Sequence, residues 1–204
     1  KFFGWESKRL YNKPDKILIT SQMFRDYLVQ QHDVENNKIE YLPQYAPAQF
    51  DMIPPSAEHK DTVDLMFAGN IGAAQNLQVV LNAAEILSNE KELRWHIVGD
   101  GSELENLKRL AVEKKLDNVI FYGRKPPADA MLVTLTTDKF ISLTLPGKIQ
   151  TYMAAGKPII ASATGEIPTV LQDAHCGYCV APDDARALAD AVRTFMNTNE
   201  KAVL

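Results

Sequence analysis

"LTLPGKIQTYMAAGKPIIAS", residues 143–162, reads as a turn, a helix, a break and a strand in direct succession. Pro146 ends any regular structure before it, and the amides of residues 147–149 open a helix. Ala154, Ala155 and Gly156 give that helix a small face that can pack close to a sheet. Gly156 suits the position just past a helix end, and Pro158 follows it. The apolar run "KPIIAS", 157–162, is then a buried strand. Lys148 falls in the first helical turn, where the macrodipole disfavours a cation. Something anionic is therefore expected beside it.

The same alternation continues in both directions. Strands are expected at 63–69, 93–101, 118–123, 130–135 and 177–182, and helices at 76–87, 103–115, 166–174 and 184–197. Leu104, Leu107 and Leu110 share one side of the second of these helices. Strands alternating with helices give an α/β fold, a parallel sheet covered by helices on both faces. Upstream, 16–20 and 38–43 read as strands around a helix at 22–32. Residues 44–61 carry three prolines and little periodicity, as a linker or arm would.

One junction resists this reading. Tyr122 and Met131 lie in successive strands with only residues 123–130 between them. A parallel crossover needs about a dozen residues. Either these strands are antiparallel or a segment is left out near Pro127 and Ala128; the left-out segment is the expectation.

Bulk properties exclude several classes. A formal net charge of -4 argues against a broad electrostatic grip on nucleic acid. No apolar run approaches the roughly 20 residues that span a bilayer, and no secretory signal appears. Two cysteines do not make a disulfide scaffold, so a reducing, cytoplasmic setting is expected. The chain starts at Lys1 rather than Met, which gives the expectation of a piece of a longer protein.

In an open parallel sheet, ligands bind beyond the carboxyl ends of the strands, where strand order reverses. After the 63–69 strand comes "GNIGAAQN", in which Gly69 and Gly72 either let backbone approach a phosphate or make a tight turn. The spacing is neither G-x-G-x-x-G nor a Walker A loop. In "GDGSE", Asp100 can bond its own turn and Ser102 can cap the next helix, the structural reading being preferred. Arg124 and Lys125 follow another strand, either facing a nucleotide or solvated. The strongest candidate is the opening stretch. Free amides at 147–149, the Lys148 charge and the hydroxyls of Ser142 and Thr144 make a diphosphate cradle. "CGYC", 176–179, has redox spacing but sits on a strand rather than at a helix N-terminus. His175 beside it lacks the further ligands that zinc needs.

These stretches, taken in order, resemble family 4 glycosyltransferases with the GT-B fold, in the branch that makes bacterial capsule and O-antigen polysaccharides. They are "FAGNIGAAQNLQVVLNAA", "WHIVGDGSELENLKRLA", "NVIFYGRKP", "TLPGKIQTYMAAGKPIIAS" and "SATGEIPTVLQDAHCGYCVAPDD". "RLYNKPDKILITSQMFRDYL" and "KIEYLPQYA" look like the segment joining the two halves of such enzymes. The resemblance implies that 1–60 is a connecting segment with the end of an N-terminal half, and 61–204 a Rossmann-like nucleotide-sugar-binding domain. It implies retaining transfer from a nucleotide-sugar, UDP-linked by preference, to a glycan or lipid-linked acceptor held by an N-terminal half. No bound metal is implied. A cytoplasmic protein is expected, with peripheral association at the inner face of the plasma membrane. The fragment alone is expected to be inactive. The alternatives are a non-catalytic nucleotide-binding module and a sugar-nucleotide epimerase of the same fold, for which Glu166 is the one candidate carboxylate.

The resemblance also assigns sites residue by residue. Backbone near Gly147 and Lys148 would hold the distal phosphate and sugar, Thr151 would face the ribose, and Arg124 and Lys125 would border the base. Gly69, Asn70 and Gly72 would lie where the cleft meets the other half. No catalytic residue is assigned. Many relatives carry two glutamates eight positions apart, where this chain has Leu143 and Thr151. Many also carry an Arg and a Lys on the diphosphate, where this chain has Asn70 and Gln75. Lys148 is expected to replace part of that charge.

Overall fold

The computed structural model describes residues 2–48, 61–122 and 128–198. The chain opens with helix α1 (Phe2–Tyr11), which the sequence reading did not anticipate, then β1 (Ile17–Ile19), α2 (Met23–His32) and β2 (Ile39–Tyr41). β1 and β2 pair in parallel as a small separate sheet, and Ile19, Leu28, Val34 and Ile39 form its core.

The second sheet is made of β3 (Val63–Ala68), β4 (Leu93–Val98), β5 (Val119–Tyr122), β6 (Ala130–Thr134), β7 (Ile159–Ser162) and β8 (Gly177–Val180). Its order is β5-β4-β3-β6-β7-β8, and every pair is parallel. The helices are α3 (Gln78–Ile86), α4 (Leu104–Glu113), α5 (Gly147–Ala154), α6 (Ile167–Asp173) and α7 (Ala185–Asn197).

Right-handed crossovers decide which face each helix covers. From β3 the chain steps outward through α3 to β4 and α4 to β5. From β6 it steps the other way through α5 to β7 and α6 to β8, so α5 and α6 lie on the opposite face. α7 returns to the first face against α3. The strands are buried on both sides, and successive residues feed two cores. Leu65 and Phe67 face α3, α4 and α7, with fully buried Trp95, Leu81 and Leu188. Met66 faces α5 and α6, with Val133, Ile149 and Ile167. Gly156 takes a left-handed φ of 62° just past α5, as its sequence position implied.

The β5–β6 junction excludes one of the two readings offered for it. β6 is parallel to both neighbours, so the antiparallel alternative fails. A parallel crossover this short keeps the left-out segment near Pro127 and Ala128 as the expectation; residues 123–127 lie outside the described residues.

One charged group is buried in this sheet. Asp64 on β3 is 1% exposed. It accepts from Arg94 Nε at 2.7 Å and Nη2 at 3.0 Å, and pairs with His96 Nε2 at 2.7 Å. Burial opposes ionisation of Asp64, but hydrogen bonds and charge from Arg94 and His96 outweigh it and hold the carboxyl below its ordinary value. Such a carboxylate stabilises the fold above its unfolded pKa and loses that contribution as pH falls through the lower folded value. Asp64→Asn should cost about 3 kcal/mol at pH 7. Urea unfolding of both proteins across pH should show the gap close in acid, below the unfolded carboxylate pKa of about 3.9.

Candidate donor site at the carboxyl rim

Strand order reverses between β3 and β6, which are neighbours whose onward connections leave in opposite directions. The crevice predicted at that point lies beyond their carboxyl ends. The loops there are stitched together. Thr134 Oγ1 donates to the Gln75 carbonyl, and Thr136 N–H donates to Ala74 O at 3.0 Å. The β3 and β4 loops also bond to each other, through Ile71 N–H to Asp100 O at 2.7 Å and Glu103 N–H to Ile71 O at 3.0 Å. Gly99, at φ 142°, is where the two backbones approach most closely; a Cβ there would collide with the Gly69 carbonyl.

α5 starts at the same rim. Pro146 occupies its N-cap with extended backbone and has no side chain that could cap the helix. Residues four apart share a helix face, and Lys148 and Tyr152 both reach the end of β3. Tyr152 Oη donates to Ala68 O at 2.9 Å, and burial pushes its phenol up to about 12. Lys148 Nζ donates to Gln75 Oε1 at 3.1 Å and lies 4.1 Å from the centre of the Phe67 ring. A Cβ on Gly69 would sit 3.3 Å from that nitrogen. Among the described residues no carboxylate pairs with Lys148. Burial alone pulls its pKa down to about 8, so it remains mostly protonated at neutral pH.

The structure therefore brings together Gly69, Gln75, Gly147 and Lys148. Asn70 folds over Gly72, its Nδ2 2.8 Å from where a Cβ would stand. Ser142 and Thr144 are nearby in sequence, but their protons are used locally. Ser142 Oγ donates to Lys139 O at 2.9 Å and Thr144 Oγ1 to Ile141 O at 2.7 Å. In that arrangement they offer a ligand only acceptor lone pairs. Thr151 Oγ1 likewise donates to Gly147 O at 3.1 Å. Arg124 and Lys125 lie outside the described residues. Asp100 bonds the Gly101 N–H at 2.8 Å as expected, but Ser102 does not cap α4; Glu103 is the N-cap and makes no side-chain cap.

Four partners at this rim were invisible in the sequence. Phe67 supplies the aromatic face under Lys148, although its β-strand periodicity marked it only as core. Gln44, from the arm, places Oε1 where a Cβ on Gly147 would project. Ser21 Oγ donates to Leu143 O at 2.5 Å, and Gln22 N–H to Glu166 Oε1 at 2.8 Å. All four depend on contacts between distant segments, which no local pattern records.

A cavity of about 450 Å³, lined by Pro158, Leu171, His175, Tyr178 and Phe195, lies away from the rim, at the amino ends of β7 and β8. Its two thiols are poor nucleophiles: burial raises the pKa of Cys176 and pushes Cys179 up to about 11. Among the described residues, no group of three His, Cys, Asp or Glu side chains could hold a metal ion, and no helix is long and apolar enough to cross a membrane.

Residues 49–203 match the family model of glycosyl transferases group 1. The chain belongs to that family. WbjE of Pseudomonas aeruginosa, described as a probable glycosyltransferase, is 33% identical over 153 residues, covering 70% of this chain and 37% of WbjE. WcaL of Escherichia coli, a putative colanic acid biosynthesis glycosyltransferase, is 25% identical over 154 residues, 69% of this chain and 38% of WcaL. The chain thus spans little more than a third of the length of either group 1 relative. HepE of Anabaena, solved in complex with UDP-glucose, superposes on 98% of the chain with a TM-score of 0.81 at 15% identity, using 59% of its own length. That likeness shows the fold: the α/β sheet flanked by helices is the one found in GT-B glycosyltransferases.

A buried ammonium without a carboxylate weakens the folded state. The fall from 10.5 to about 8 corresponds to roughly 3 kcal/mol at pH 7. Lys148→Met keeps the packing and removes the charge. It should raise the unfolding free energy of the ligand-free protein by about 1–3 kcal/mol. A denaturant midpoint below that of the wild type would contradict the assignment.

Proposed function

We propose that this group 1 chain is the donor-binding half of a retaining glycosyltransferase. It moves a sugar from a UDP-sugar to a glycan or lipid-linked acceptor in surface polysaccharide synthesis. The observation that carries the reading is the seat of Lys148. Its uncompensated ammonium stands beside Gly69 and Gln75 at the point where strand order reverses. The first amides of α5 lie next to it. A helix start with a lysine ammonium suits a diphosphate, because both meet anionic oxygens through charge-assisted hydrogen bonds. The charge comes from the chain itself, so the reading requires no metal.

In this reading Gly147 and Lys148 hold the distal phosphate, Thr151 accepts from a ribose hydroxyl, and Arg124 and Lys125 border the base. Gly69, Asn70 and Gly72 line the cleft. The acceptor belongs to a preceding half, for which the greater length of the relatives leaves room. UDP is supported by HepE, which was solved with UDP-glucose. The whole protein works in the cytoplasm, at the inner face of the plasma membrane.

Calorimetric titration with UDP tests this. The protein should bind UDP, and Lys148→Ala should weaken it at least tenfold, about 1.4 kcal/mol. The Lys148 ammonium is fully charged below a pKa of about 8 and discharges above it. UDP affinity should therefore fall between pH 8 and 9 in the wild type and stay level in Lys148→Ala. An unchanged affinity in the variant would reject the role.

A further inference from the structure

Glu166 stands at the same rim, just after β7, as the N-cap of α6. Its carboxylate is half used. Oε1 accepts the Gln22 N–H at 2.8 Å, whereas Oε2 is buried and has no hydrogen-bond partner among the described residues. An orphaned buried carboxylate oxygen is costly, and a native structure tolerates one chiefly where a missing donor completes it. The protein around it is packed in place. Gly165, at φ 80°, presses its backbone against the Ser142 carbonyl, where a Cβ would collide. Ser21 Oγ donates to Leu143 O from the residue next to Gln22. Consecutive residues of the β1–α2 turn, Ser21 and Gln22, therefore tie the Glu166 carboxylate to the 142–143 turn, a few residues before the Gly147–Lys148 helix start. The side chain of Leu143 itself offers no polar atom there.

We propose that Glu166 is a sugar-binding residue, its free Oε2 accepting a hydroxyl of the sugar that the nucleotide carries. This rests on the donor-site reading above. The geometry divides the labour. Lys148 and the α5 amides bear positive character and meet phosphoryl oxygens, which only accept. Glu166 bears negative charge and meets hydroxyls, which donate. A carboxylate gives those hydroxyls a stronger partner than a neutral group would. The Gln22 N–H occupies Oε1 and leaves Oε2 for the sugar. Glu166 thus distinguishes a sugar nucleotide from the bare nucleoside diphosphate.

Calorimetry on the protein with UDP, UDP-glucose, UDP-galactose and UDP-N-acetylglucosamine tests this. Glu166→Gln keeps an oxygen for the Gln22 N–H and replaces the free acceptor by an amide donor. It should weaken the tightest-binding sugar nucleotide at least fivefold and leave UDP no weaker than in the wild type. Ser21→Ala, which cuts the neighbouring contact of the β1–α2 turn alone, should keep the wild-type ratio between the two ligands. Equal effects of Glu166→Gln on UDP and on the sugar nucleotide, or none on either, would overturn the proposal. So would a Ser21→Ala variant that reproduces the same loss, since the carboxylate would then be only a latch for the β1–α2 turn. A wild-type protein that binds no UDP fails the donor-site reading itself. One that binds UDP, with a sugar increment indifferent to Glu166, fails this inference alone.

Discussion

Everything at the rim depends on β3 and β6 lying side by side while their chains leave in opposite directions. Parallel strands joined by right-handed crossovers cannot do otherwise when the order reverses. The backbone at that point has no helix directly over it. Its loops must find partners in each other, and they do: Thr134 and Thr136 bond the Gln75 and Ala74 carbonyls, and Ile71 bonds the β4 loop. The result is an edge of mutually bonded loops where strand order reverses, the place a ligand crevice is expected. Gly99 is required because two backbones share the space that a side chain would fill.

Lys148 is placed on that edge at a cost to stability. A cation in the first turn of a helix, over an aromatic ring and half-buried, is held by an amide oxygen and a π face rather than by a carboxylate. Cation–π contact contributes roughly 0.5–2 kcal/mol, which is less than the stabilisation lost to burial. A residue that weakens the empty protein at such a rim is better explained by a ligand than by folding. Tyr152, one turn later, carries the complementary structural duty by fixing α5 to the end of β3.

Much of the fold was legible because its signals are local. The apolar runs of β3, β4, β6 and β7, the Leu104–Leu107–Leu110 spacing of α4 and the Pro146/Gly156 bracket around α5 each predict one element, and each element is present. α1 was missed; its "FFGWESKRLY" lacks both a cap and a clear apolar stripe. At the β5–β6 junction the sequence left two readings, and the parallel pairing of β6 with both neighbours removes the antiparallel one. The site was only half legible. Gly147 and Lys148 announce themselves by residue type, but the contacts that define their chemistry come from Phe67, Gln75 and Gln44, far away in sequence. Ser142 and Thr144 suggested hydroxyl donors, and only the turn geometry reveals that their protons are already engaged. Glu166 entered the sequence reading only as the candidate carboxylate of the epimerase alternative; its orphaned oxygen is a property of packing.

The most direct test of the rim as a diphosphate seat is amide NMR of the ¹⁵N-labelled protein during UDP addition. Saturable shifts at residues 69–76 and 147–149, with those at Leu171, His175 and Tyr178 unmoved, are the predicted result. Shifts confined to the groove beside β8, or none at Gly69 and Lys148 while UDP is bound, would contradict it.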